Sequence, residues 1–115
     1  MNSNDVLTEY GLDALSAILH ETAIEKGFWP HEIDTNIVCT KLALVHSEVT
    51  EVLEAIRKNK PTEEIVEEIA DILIRTLDLY AALRNHEWVT ESLDEILETK
   101  ININKERPRL HGNLF

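Results

Sequence analysis

The sequence predicts an all-α protein, a four-helix bundle forming one domain over residues 1–115 and completed by oligomerisation. Three observations carry this expectation. Apolar residues recur at helical spacing through nearly the whole chain. Only three Gly and three Pro occur among 115 residues, too few turn-formers for a many-stranded sandwich or barrel. Hydrophobic residues make up 43%, which excludes disorder through lack of core material.

The elements follow in order. Leu7, Leu12, Leu15, Ile18 and Leu19 fall on one side of a first helix, about residues 5–26. Gly27-Phe28-Trp29-Pro30 ends it, since Gly suits the position after a helix and Pro cannot continue one. Asp34 or Thr35 can cap a second helix over about 36–58. Asn59-Lys60-Pro61-Thr62 breaks the chain, and Pro61 and Thr62 suit the start of a third helix over about 62–84. After Asn85-His86 a fourth helix is expected from about 88 to 104, followed by an irregular tail punctuated by Pro108 and Gly112. Breaks this short predict antiparallel neighbours.

The third helix is apolar nearly all round. Ile65, Ile69, Ile72, Thr76, Leu79, Tyr80 and Leu83 share one face, while Val66, Ala70, Leu73, Ile74, Leu77 and Ala81 cover most of the rest. Glu64, Glu67, Glu68, Asp71, Arg75 and Asp78 are confined to a narrow wedge. Four helices supply too little cover for such a helix, so a second subunit is expected, in a dimer or tetramer.

The formal net charge is −11. Residues 1–99 hold 7 basic against 21 acidic groups, and residues 100–115 carry a net +3. An acidic body argues against nucleic-acid binding, which rests on neutralising phosphates. The single Cys39 excludes an internal disulfide and any Cys-rich zinc site, and is expected to be an inert helix residue. No apolar run approaches a membrane span, and Met-Asn-Ser-Asn-Asp is unlike a signal peptide. A cytoplasmic protein, with no membrane partner, is the expectation.

Glu48-Val49-Thr50-Glu51 sets two carboxylates three residues apart on the second helix, and Glu68-Ile69-Ala70-Asp71 does so on the third. Packed as a hairpin, the helices would place four carboxylates around one cavity, a donor set suited to Mg²⁺ or Mn²⁺. One such pair alone is no more than a solvated acidic face. A di-iron bundle would need Glu-x-x-His, but the residues three before the histidines are Ala17, Phe28, Ala43, Leu83 and Pro108. His46 is expected to be a buried packing residue. Arg75 is expected to pin Asp71 four residues away, with reach to a phosphate as the alternative, and Lys41 to be a partner charge or a substrate contact.

The segment Leu44–Ala55, followed by Glu67-Glu68-Ile69-Ala70-Asp71-Ile72-Leu73-Ile74-Arg75, resembles the MazG-type nucleoside triphosphate pyrophosphohydrolases of the short, single-domain phage and bacterial type. Glu25-Lys26-Gly27-Phe28-Trp29 and the Lys100, Asn104, Arg107, Pro108, His111, Gly112 pattern extend the resemblance over about residues 20–112. Ile103 departs from it, standing where family members often carry an aromatic residue.

The resemblance implies Mg²⁺-dependent hydrolysis of an NTP or dNTP to the monophosphate and pyrophosphate, in the cytoplasm or in the host cytoplasm for a phage protein. Glu48, Glu51, Glu68 and Asp71 would be the metal ligands, and the cation would lower the pKa of the attacking water. Glu67, beside the cluster, could accept the proton, as could Glu48 or Glu51. Lys100, Asn104 and Arg107 recur at spacings of four and three, so one helical face can offer all three to the triphosphate. Trp29 could stack on the base, and His111 could order the tail. Two rivals remain: a non-catalytic acidic interaction module, and a pyrophosphohydrolase of another compound such as phosphoribosyl-ATP.

Overall fold

A computed structural model describes residues 10–112; the side chain of His111, together with Leu7 and the rest of residues 1–9, lies outside the described residues. Among the described residues four α-helices occur: α1 (Gly11–Glu25), α2 (Thr35–Arg57), α3 (Thr62–Asn85) and α4 (Leu93–Glu106), with a closing 3₁₀ turn at Arg109–Gly112. Among the described residues there is no strand.

Helix ends follow from short-range chemistry. The Asp34 carboxylate accepts from Ile37 N at 2.9 Å and starts α2. Ser92 Oγ accepts from Glu95 N and starts α4. The fourth helix therefore begins at Leu93, five residues later than expected, and residues 88–92 belong to the link. The helices α1, α2 and α3 all stop in one geometry. Gly27, Asn59 and Glu87 each take positive φ, donating to the carbonyl three residues back, while the next residue's N–H reaches back five. Glycine suits that backbone best; Asn tolerates it; Glu87 carries the steric cost of a Cβ.

At the centre lies α3, packed against α1 on one side and α2 on another, while α4 touches α1. Cross-helix pairs show both neighbours of α3 to be antiparallel: Asp13–Arg84 and His20–Asp78 with α1, Glu48–Arg75 and the Val38–Leu79 packing with α2. The core is small. Trp29, Val38, Leu79 and Ala82 form it, flanked by Ala23, Ile33, Ile37 and Leu83. Val49, Leu53 and Ile56 on α2, Val66, Leu73 and Ile74 on α3, and Ile96, Ile101 and Ile103 on α4 stay exposed within the chain, and α4 buries no residue at all.

At the junction of α1 and α4 the polar groups are matched. Asp94 accepts from Leu12 N and Asp13 N at 2.9 and 3.1 Å, capping α1 from a distant part of the chain. Asp13 in return accepts from Asp94 N, Ser92 Oγ and Arg84. Burial acts to raise the Asp13 pKa, but these hydrogen bonds outweigh it and hold the carboxyl below its usual range. Gly11, with φ of 82°, admits the pair: a Cβ there would stand 3.0 Å from Asp94 Oδ2.

Candidate metal centre and substrate cavity

The antiparallel packing of α2 on α3 brings Glu48 opposite Glu68 and Asp71. One carboxylate oxygen from each lies within 4.8 Å of the others. Arg75, one turn beyond Asp71, donates from Nε to Glu48 Oε1 at 2.7 Å. Among the described residues Arg75 pairs with Glu48 across the helices and forms no ion pair with Asp71, because the long guanidinium stem reaches the facing carboxylate on α2.

Glu51 stands beside the trio. It shares a small groove with Glu68, Glu54 and Glu64, and its charge acts on Glu68. Partial burial, then the charges of Asp71, Glu48 and Glu51, and a hydrogen bond to Glu48, raise the Glu68 pKa above its ordinary range. Like charges are gathered here with Arg75 as their one close counter-ion among the described residues. Hard oxygen donors converging from two rigid helices fit a divalent cation. Glu67 is exposed and lies a 100° step from Glu68, outside the trio.

Glu48 and Asp71 of the cluster border a cavity of about 500 Å³ between α1, α2 and α3, while Glu68 lines the neighbouring groove; the cavity is within the range that holds a nucleotide-sized ligand. Its wall carries three cations, Lys26, Lys41 and Arg75, together with Phe28, Trp29 and the carboxylates of Glu48, Asp71 and Asp78. The link after α1 supplies both aromatics, and they differ. Trp29 is 8% exposed, its indole N–H bonded to Asp78 and its ring covered by Lys41 Nζ at 4.4 Å. Phe28 is 66% exposed at the rim. Of the two, Phe28 has the freer ring; Trp29 forms wall.

Lys100 and Asn104 lie on exposed α4, and Arg107 at its end; none of them lines the cavity. The helix α4 packs on α1 and meets α3 where Leu93 N donates to Tyr80 Oη at 3.0 Å, and none of its residues joins the carboxylate cluster. His111 falls in the closing turn, with its side chain outside the described residues. One lesser expectation is corrected: His46 is exposed, since α2 turns it away from α3. Cys39 lies in α2, as an exposed free thiol.

Three residues at the cavity carry more than the sequence suggested. Asp78 bonds both His20 and Trp29, and Phe28 forms the rim. Asp78 had a detectable signature: Glu68, Asp71, Arg75 and Asp78 continue one stripe at spacings of three, four and three. His20 had none, because its partner stands 58 residues away.

The sequence model of one family, described as the MazG nucleotide pyrophosphohydrolase domain, matches residues 38–108. That span takes in α2 from Val38 onward, α3 and α4, with all of the clustered carboxylates. No curated protein and no solved structure matches the chain.

Proposed function

The chain belongs to the MazG nucleotide pyrophosphohydrolase family, and on that premise we propose that it hydrolyses a nucleoside triphosphate, a dNTP by preference, to the monophosphate and pyrophosphate. The observation that carries the proposal is the meeting of Glu48, Glu68 and Asp71 at the edge of a cavity that also bears Lys26, Lys41 and Arg75. Neither acids alone nor bases alone suit a metal-complexed triphosphate; this wall offers both.

Glu48, Glu68 and Asp71, with Glu51 next to them, hold the cation, Mg²⁺ or Mn²⁺. Bound there, it supplies positive charge to the phosphates and acidifies the attacking water. Arg75 fixes the Glu48 carboxylate in position through its 2.7 Å bond. Lys26, Lys41 and Arg75 offset phosphate charge along the wall. Water adds to the α-phosphorus, the bond to the α–β bridging oxygen breaks, and pyrophosphate departs. Glu67, next to the cluster and not among the cation's ligands, accepts the proton lost by the water.

Oligomerisation completes the arrangement in this proposal. The uncovered apolar residues of α2, α3 and α4 bury against a second chain. Lys100, Asn104 and Arg107, remote from the cavity of their own chain, reach the phosphates held by the neighbour.

The test is pyrophosphate release from a panel of NTPs and dNTPs, with phosphoribosyl-ATP included, in Mg²⁺ and in EDTA. Metal-dependent release from at least one nucleoside triphosphate is expected. Absence of turnover throughout would reduce the chain to a binding module, and turnover of phosphoribosyl-ATP alone would reassign the substrate.

A further inference from the structure

The cavity has a second acidic position that the cation cluster does not use. Asp78 follows Asp71 by seven residues, nearly two helical turns, so it lies on the same face about 10 Å further along α3. Its side chain is 16% exposed and lines the cavity. Two donors hold it. His20 Nδ1, in a ring 2% exposed, lies 2.7 Å from Oδ1. Trp29 Nε1 shares its single N–H between Oδ1 at 3.0 Å and Oδ2 at 2.9 Å. The rings of His20 and Trp29 also pack edge to face, centroids 5.1 Å apart, which fixes the direction of both donors.

An ionised carboxylate offers about four lone-pair sites. The bonds above give Oδ1 one full bond and half of a shared N–H, and Oδ2 only the other half. Oδ2 therefore keeps acceptor capacity on a group that borders the cavity. A neutral amide keeps one acceptor for His20 and for half of the shared Trp29 N–H, but sets an NH2 group against the other half. A carboxylate differs by presenting acceptors alone, so it attracts N–H groups and repels carbonyl oxygens.

Given the nucleotide reading above, on which this inference rests, the phosphates lie at the Glu48, Glu68, Asp71 end. The distance to Asp78 is comparable to that between the α-phosphate and the base edge of one nucleotide. We infer that Asp78 is a specificity-determining residue, taking a hydrogen bond from the exocyclic amine of the nucleobase and selecting amino-bearing bases over uracil and thymine. His20 and Trp29 act through it, as positioning residues that fix the carboxylate.

The wild-type protein supplies the first test. kcat/KM is compared for the preferred amino-bearing nucleotide and for an analogue lacking only that amine. Deleting the amine should lower kcat/KM about tenfold or more, since a hydrogen bond to a charged group is lost and the site keeps an unpaired acceptor. The second test is Asp78→Asn, whose amide can keep its oxygen on Trp29 and His20 and turn N–H toward the cavity. The amine penalty should vanish, and the rate ratio of uracil to cytosine nucleotides should rise about tenfold or more. Equal loss of kcat/KM on all bases, or wild-type indifference to the amine, overturns the assignment while leaving the nucleotide reading intact. If Asp78→Asn does not fold, as judged by circular dichroism, the wild-type comparison decides alone. A wild-type protein that turns over no nucleotide overturns both readings together.

Discussion

Two groups of acids in this chain sit in opposite states. At the α1–α4 junction, Asp13 and Asp94 accept backbone N–H groups, a serine hydroxyl and an arginine. At the α2–α3 hairpin, Glu48, Glu68 and Asp71 converge on one another with Arg75 as counter-ion. One carboxyl is pushed down in pKa and another up by these surroundings. Residue type does not separate the two groups; the supply of donors does. A carboxylate surrounded by donors contributes to folding, while one surrounded by carboxylates costs stability and serves a ligand that brings positive charge.

The largest expected effect comes from neutralising the unsatisfied group. Glu48→Gln should lower Mg²⁺-dependent kcat/KM at least about a hundredfold, more than the ten- to hundredfold common for a residue behind a metal ligand. The fold should survive, because the variant relieves like-charge crowding even as it weakens the Arg75 contact. Pyrophosphate release and a thermal melt in EDTA measure the two sides. Near-normal turnover would show that the crowded acids are not the metal site and would dissolve the contrast.

The satisfied group should respond in reverse. Asp94→Ala removes the two bonds that cap α1, with an expected loss of about 2 kcal/mol. For a domain of this size that lowers Tm by roughly 10 °C, while turnover per folded molecule stays unchanged. Gly11→Ala should be somewhat milder, about 1–2 kcal/mol. Its positive φ disfavours a Cβ, and the new methyl presses on Asp94 Oδ2. A thermal melt that leaves either variant at wild-type Tm would mean the junction does not hold α1 in place.

What the sequence made legible follows the reach of its periodicities. The Glu48/Glu51 and Glu68/Asp71 pairs could be placed on facing helices because a three-residue step and a four-residue link are local geometry. The same logic located Gly27 after α1 and Asp34 before α2. It placed the start of α4 at the apolar Trp88 and Val89, although Ser92-x-x-Glu95 already spelled a helix start. It could not see that Arg75 crosses to Glu48, that His20 and Trp29 meet Asp78, or that Asp94 caps α1. Those contacts span 27, 58, 49 and 82 residues and exist only once the helices are packed. The resemblance carried the functional expectation where local geometry could not.

The smallest effect is also the most direct measure of the contrast: the two groups should give stability opposite dependence on pH. Asp13 has a folded pKa below its ordinary 3.8. The unfolded chain then binds more protons between the two values, so the contribution is complete above pH 3.8 and is lost as pH falls through the folded value. Glu68 has a folded pKa above its ordinary 4.5. Here the folded chain binds more protons, so stability declines as pH rises from 4.5 through the raised folded value, then levels. Denaturant melts in EDTA across this range should show both limbs. Asp13→Asn should flatten the acidic limb, and Glu68→Gln the other. Mg²⁺ should cancel the Glu68 decline as well, because it binds the folded, deprotonated cluster and draws the equilibrium toward it. If Mg²⁺ leaves the Glu68 limb unchanged, these carboxylates are merely crowded, and the parallel with a metal site fails at its source.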